Sequence, residues 1–340
     1  MASAPTPPPP ALTTHLEALE DALRAAVGPG DSALVSAARY VMGWEDEEGR
    51  PLRAGGKRIR PGLCLLAAEA FGAAATAAMA GAVAVELVHN FSLVHDEIQD
   101  RDAERHHRPT IWRIVGEAQA INVGDFLFTR ALRSLAEAGL PSERRVAALE
   151  ALLTATDDMI GGQWADLTFE ERGDVTVADY LAMVEGKTGA LIGAPLQIGA
   201  ILAGAAPLQS DRIRDWGRRL GLAFQAQDDI LGIWGDPNLT GKSNQNDLAR
   251  HKKTLPVIEA LTDPVTRRAV DALYAHPEPP ADAIVALSAQ LEAAGVRERS
   301  QAHARRYVTE AEGLLAGLGL GEDETRLLGT VARYLIERAG

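Results

Sequence analysis

Apolar residues recur at spacings of three and four from Leu12 to the C-terminus, and no stretch alternates apolar with polar residues as a half-buried strand does. The pattern predicts an all-α chain, with helices at about 12–28, 32–45, 59–74, 76–101, 113–138, 142–163, 177–203, 209–234, 254–274, 281–293, 296–317 and 323–338. The breakers agree: Gly28, Pro29 and Gly30 close the first helix, and Pro141, Gly173 and Pro237 punctuate later ones. No linker rich in Pro, Gly or Ser interrupts the pattern and no fixed-period repeat is visible, so residues 13–340 read as one helical domain rather than a solenoid. Residues 1–12 read as a disordered proline-rich lead lacking the basic start and apolar run of a signal peptide.

Two acid clusters sit badly in this pattern: Asp96, Glu97 and Asp100 at the end of the helix over 76–101, and Asp228 and Asp229 late in the helix over 209–234. A helix C-terminus carries partial negative charge, so each carboxylate there costs roughly 0.3–1 kcal/mol, and like charges four apart cost a further ~0.2–0.5 kcal/mol. A cation would offset that. Asp96 and Asp100 share one helix face, and hard oxygen ligands suit magnesium, which is commonly held by one or two carboxylates together with substrate phosphates. Taken singly, either cluster also reads as a solvated helix end.

At 340 residues and 46% hydrophobic, the chain can bury a large core. The net charge of −13 argues against nucleic acid or an anionic membrane as partner, so an anionic ligand must be held by local cations or by metal. The single cysteine, Cys64, cannot form an internal disulfide and reads as a core residue, which fits the reducing cytoplasm. The longest charge-free run follows Lys187; Pro195, Gln197 and many Gly and Ala make it a buried, kinked helix, and no membrane span is expected.

Two polar segments interrupt the helices, and both are basic. In GRPLRAGGKRIRP, Gly55 and Gly56 let backbone approach a ligand while Lys57, Arg58 and Arg60 supply charge. In GDPNLTGKSNQNDLARHKKTLP, Lys242, Lys252 and Lys253 follow shortly after Asp228 and Asp229, as a lid over a metal–phosphate complex would require. Together, acids for metal and cations for phosphate imply a diphosphate held between helices.

The motifs GGKRIRP, ELVHNFSLVHDEIQD, RHHRPT, GGQWADL, KTG, FQAQDDILGIWGD and TGKSNQNDLARHKKTLP, over about residues 50–260, resemble the trans-isoprenyl diphosphate synthases, or polyprenyl synthetases, in order and spacing. The resemblance implies an all-α isoprenoid synthase fold, a helical bundle around a deep central cavity, in a homodimer. It implies that Asp96 and Asp100 hold two magnesium ions and Asp228 a third, all bridging to the diphosphate of an allylic substrate. Arg105, Lys187, Gln225, Lys242 and Lys252 would contact that diphosphate or its surroundings, and Lys57, Arg60 and His89 would bind isopentenyl diphosphate. Gln163 and Asp166 match the family's GQxxD segment, with Gln163 facing the reacting carbons. The activity implied is head-to-tail condensation of isopentenyl diphosphate with an allylic diphosphate. Cations at the leaving diphosphate stabilise its developing charge, and an apolar cavity keeps water from the allylic cation.

Four positions depart from the family's motifs. Glu97 stands for the second aspartate of DDxxD, Gly232 for the last aspartate of the second motif, and His106 and His107 for the usual Arg and Gly. His106 would stand where an arginine contacts isopentenyl diphosphate, and a mostly neutral histidine lacks the guanidinium fork. These departures keep open an alternative, a class I terpene synthase that cyclises a prenyl diphosphate on the same scaffold. Phe91 and Ser92 lie about one helical turn before Asp96 and should line the cavity beneath the metal site. An aromatic residue five before the first aspartate, with no insertion inside the first motif, resembles the twenty-carbon producers, which points to geranylgeranyl diphosphate as product, with fifteen carbons the near alternative. Phe91 and His89 also read as ordinary core residues, His95 as a residue orienting Asp96, and Trp112, Trp164, Trp216 and Trp234 as packing.

Overall fold

The structure, a computed structural model, describes residues 7–30, 32–52, 56–105, 108–235 and 246–337. These fall into two compact units. The first comprises Pro8–Thr156 with Leu191–Arg214, and the second comprises Asp157–Ala190 with the chain from Asp215 onward.

The first unit begins with α1 (Pro10–Thr13), α2 (Leu16–Val27), α3 (Ala33–Val41) and α4 (Ile59–Ala70). The lead predicted to be disordered through residue 12 is helical from Pro10, because proline at the first helical position forfeits only an N–H that had no partner, and Leu12 is buried. A short 3₁₀ turn then leads into α5 (Met79–Gln99), which packs against α2, α4 and most extensively α7 (Glu117–Ala136). Ala82, Val83, Ala84, Val85, Leu87 and Val88, with Glu86 among them, are all buried, so α5 is covered on every side there. By length and composition Ala75–Gln99 could cross a membrane, yet 67% of that window is buried within the protein.

Between α5 and α7 lie a two-residue antiparallel pair, β1 (Glu104–Arg105) with β2 (Arg108–Pro109), and α6 (Ile111–Val115). The predicted helix 113–138 breaks at Gly116, whose φ of 81° ends α6 and starts α7. The long α8 (Ser142–Glu171) follows. The charge-free run after Lys187 contains α10 (Ala190–Ala203), whose Leu191, Ile192, Leu196, Ile198 and Leu202 are buried, as predicted.

In the second unit, α9 (Val177–Val184) starts with a capping box between Thr176 and Asp179 and passes through a π turn, Glu185–Gly189. α11 (Pro207–Trp234) carries the second acid cluster, α12 (Asn246–Ala249) lies within the basic segment, and α13 (Leu255–Ala260) begins at its end. The predicted helix 254–274 is two helices, because Asp263 caps a new one, α14 (Pro264–Tyr274), through the N–H groups of Val265 and Thr266. α15 (Ala281–Ala293), α16 (Val296–Ala316) and α17 (Glu322–Glu337) match their predicted ranges within a residue. The core of this unit gathers Phe169, Tyr180, Leu222, Ile230, Leu255, Ile258, Leu273, Leu291 and Tyr307. The fold class is all-α, as the spacing predicted.

Candidate active site

Asp100 is the C-cap of α5, its N–H bonded to the Asp96 carbonyl at 2.8 Å, so the two side chains leave one helix face a turn apart, both half-buried. Glu97 lies between them in sequence but turns inward and is 7% exposed. Burial raises its carboxyl to about 7, against the opposing charge of Arg105, whose Nη1 stands 3.7 Å from Glu97 Oε1. Glu97 therefore lies off the face that carries Asp96 and Asp100.

The basic segment before α4 divides its cations between two tasks. Gly56 and Lys57 are exposed, but Arg58, read from the sequence as a source of charge for a ligand, is 5% exposed and already paired. Its Nε donates to Glu20 Oε1 and its Nη1 to Glu86 Oε1, both at 2.7 Å, and its Nη2 donates to the Met42 carbonyl at 2.8 Å. Burial opposes its charge, but Glu86 and Glu20 outweigh that and hold its pKa above the usual arginine value. Arg60 stands two residues on, its Nη1 3.2 Å from His89 Nε2 on α5. Burial first, then Arg60, Arg105 and Arg58, hold the His89 pKa well below the ordinary histidine value, so the imidazole is neutral and Nε2 accepts from Arg60.

One turn before Asp96, Phe91 is 8% exposed, and Ser92 donates to the His89 carbonyl at 2.8 Å. The Phe91 ring meets the edge of His95 at 4.9 Å between centroids and tilts against Phe128 of α7 at 5.1 Å. His95 fits in a notch over Gly124, where an added Cβ would lie 2.3 Å from its Nε2. His95 thus packs Phe91 and α7; its Nε2 lies 3.4 Å from the Ile121 carbonyl.

In the second unit the paired aspartates separate in the same way. Asp228 is half-buried, whereas Asp229 is 4% exposed and fully engaged. Asp229 accepts from the Tyr180 hydroxyl, from Gln225 Nε2 at 2.8 Å and from the Leu255 N–H at 2.8 Å. Burial nevertheless raises its carboxyl to about 7. Gln225 Oε1 accepts from Thr188 in the π turn at 3.1 Å, and Lys187 of the same turn donates to Asp166 Oδ2 at 2.6 Å. Gln163 is buried, three residues before Asp166 on α8. Lys252 is half-buried, and its carbonyl accepts from the Tyr274 hydroxyl at 3.0 Å. At Gly232, where the second motif lacks its last acid, an added Cβ would lie 2.1 Å from Asp247 Oδ2. The Asp247 carboxylate fills that space.

Two readings need correction. Trp164, taken as packing, is 75% exposed, whereas Trp216 is buried as expected. Asp229 and Arg58 carry structural loads that sequence reasoning missed; for Arg58 the signal available was Glu86, an acid within the apolar run of α5. His106 and Lys242, together with Gly55, lie outside the described residues.

Among the described residues no group of three or more His, Cys, Asp or Glu side chains forms a ready metal cage. That fits magnesium, which keeps waters and takes one or two carboxylates plus substrate phosphates. Asp96 with Asp100 in one unit, and Asp228 in the other, are half-buried carboxylates of the right hardness.

The family model described as polyprenyl synthetase matches residues 50–290. The chain is 42% identical over 305 residues to a (2E,6E)-farnesyl diphosphate synthase of Mycobacterium tuberculosis, covering 88% of this chain and 84% of that one. It is 39% identical over 293 residues to a geranylfarnesyl diphosphate synthase of Aeropyrum pernix, covering 84% and 92%. A crystal structure of a polyprenyl synthetase from Streptomyces coelicolor A3(2) superposes with a TM-score of 0.89 at 40% identity, covering 96% of this chain and 99% of that chain. With a family model over residues 50–290, relatives about 40% identical over most of its length and a matching helical scaffold, this chain belongs to the polyprenyl synthetase family of prenyltransferases.

Proposed function

We propose that the protein joins isopentenyl diphosphate to an allylic diphosphate, head to tail, and releases a short-chain trans-prenyl diphosphate, chiefly geranylgeranyl diphosphate. The observation that carries this reading is the pairing of Arg60 with neutral His89 beside exposed Lys57. An enzyme that only ionised and cyclised one prenyl diphosphate would have no use for this second set of cations. The relatives named above are all diphosphate or polyprenyl synthases, and nothing in them favours the cyclase alternative.

In this reading Asp96, Asp100 and Asp228 are the carboxylates that would hold magnesium, three ions in all, for the allylic diphosphate. Magnesium would supply positive charge where the leaving diphosphate develops negative charge. Lys187, held by Asp166, and Arg105 and Lys252 add fixed cations to the same group. Lys57, Arg60 and His89 position the second substrate, and positioning converts a bimolecular encounter into a local one. The double bond of isopentenyl diphosphate then attacks the allylic cation, and the released diphosphate accepts the proton, so no protein base is needed. Gln163, buried near Asp166, faces the reacting carbons, and apolar side chains exclude water from the cation.

Product length is read from Phe91, whose ring is locked between His95 and Phe128 and would stop the growing tail. A second copy of the chain is the proposed partner, because α6, α7 and α8 expose Ile114, Ile121, Val146 and Leu153 in one unit, and α8 exposes Ile160 and Trp164 in the other. The experiment for the activity is incubation of purified protein with magnesium, farnesyl diphosphate and labelled isopentenyl diphosphate, with products weighed by mass spectrometry. The expected product is a labelled twenty-carbon diphosphate. A volatile hydrocarbon without label and without any longer diphosphate would reject condensation.

A further inference from the structure

We infer that Arg58 is a positioning residue: its buried clamp on Glu20, Glu86 and the Met42 carbonyl sets the conformation in which Lys57 and Arg60 hold isopentenyl diphosphate, an inference that rests on the reading of that pair given above. Arg58 is the N-cap of α4, and its φ of 46° and ψ of 41° place a non-glycine residue in the left-handed region. A non-glycine residue stays there only when its surroundings over-determine it. Here they do, through three charge-assisted hydrogen bonds at 2.7–2.8 Å reaching α2, α5 and the end of α3.

The rest of the cluster is saturated too. Trp44 Nε1 donates to Glu20 Oε2 at 2.7 Å, and Asn90 Nδ2 donates to Glu86 Oε1 at 3.1 Å and to its carbonyl at 2.8 Å. With two carboxylates against one guanidinium, the positive charge of Arg58 is spent within the fold, so it cannot serve a diphosphate. What it does control is direction. Lys57 precedes it and is exposed, while Arg60 follows on the first turn of α4. Glu86 and His89, three apart on one face of α5, grip Arg58 and Arg60 respectively, so α5 holds both arginines in a fixed relation. Lysine in place of Arg58 would keep the charge but lose the planar fork that reaches three partners at once.

The test is steady-state kinetics of Arg58→Lys and of the milder Glu20→Gln, each checked for native circular dichroism and melting temperature. Arg58→Lys should raise KM for isopentenyl diphosphate about tenfold or more, with KM for the allylic substrate within about twofold of wild type, and Glu20→Gln should shift it the same way by a smaller factor. In a Lys57→Ala/Arg60→Ala background, Arg58→Lys should add no further increase, because it acts only through that pair. An unchanged KM for isopentenyl diphosphate in a folded variant, or an equal rise for both substrates, overturns the inference. Should Arg58→Lys fail to fold, Glu20→Gln decides the matter alone. Wild-type protein that incorporates no isopentenyl diphosphate would instead overturn the functional reading beneath it.

Discussion

The Asp229 carboxylate accepts the backbone N–H of Leu255 at 2.8 Å, tying the C-terminal turns of α11 to the first residue of α13. Helix N-termini leave four N–H groups without intrahelical partners, and a carboxylate there gains from the helix dipole as well. Since Lys252 lies three residues before Leu255, the contact anchors the end of the basic segment close to the chain that carries Asp228. Asp229 also takes the Tyr180 hydroxyl, so one buried carboxylate joins α9, α11 and α13.

The neighbours Asp228 and Asp229 should therefore fail differently. Asp229→Ala leaves buried donors unpaired at about 1–3 kcal/mol each and should lower the melting temperature by many degrees. Asp228→Ala should leave the melting temperature nearly unchanged and abolish turnover. Thermal denaturation and initial rates on the two variants check this, and equal melting temperatures would contradict the division of labour.

His89 gives a pH signature. Its folded pKa is held well below the ordinary value of 6.5, mainly by burial, so the unfolded chain binds a proton that the folded one refuses. The stability this contributes is fully present above pH 6.5 and is lost as pH falls below it, by up to ~1.4 kcal/mol per pH unit. Urea denaturation at pH 7.5, 6.0 and 5.0 should show wild type losing its advantage over His89→Gln as the solution is acidified. A constant difference would mean that folding does not shift the His89 pKa.

Phe91→Ala should move the product distribution to longer chains, because the ring is fixed by His95 and Phe128. The same change removes a buried aromatic side chain and should cost about 3–5 kcal/mol, so the assay belongs at low temperature. An unchanged product distribution would mean that Phe91 is a core ring and no cavity floor.

Restoring the family's missing acid should harm this protein. Gly232→Asp would force a Cβ into the place of Asp247 Oδ2, 2.1 Å away, and set two carboxylates side by side. We expect a loss of about 1–3 kcal/mol in stability and slower turnover. A variant as stable as wild type would show that Asp247 moves aside freely.

Much of this was legible before any coordinates. The three-and-four spacing located every long helix, and the separation of Asp96 from Asp100 placed both on one face. The errors have local causes. The sequence shows that Asp263 and Pro264 can start a helix, but not that the preceding helix stops at Ala260 to let it. Arg58 and Arg60 look alike in GGKRIRP; only the tertiary partners Glu20, Glu86 and His89 tell the arginine clamped by two carboxylates from the one beside a histidine. Asp228 and Asp229 are alike for the same reason, since burial and Leu255 decide their fates. Trp164 misled because an apolar helix face was assumed to be covered within its own chain.

The central claim, that Asp96, Asp100 and Asp228 serve magnesium-dependent binding of an allylic diphosphate, is tested most directly by calorimetric titration with a non-ionisable allylic thiolodiphosphate. Wild type should bind it only when magnesium is present, and Asp96→Asn and Asp228→Asn should each lose that binding while keeping the wild-type melting temperature. Binding that is indifferent to magnesium, or that survives in either folded variant, would contradict the account.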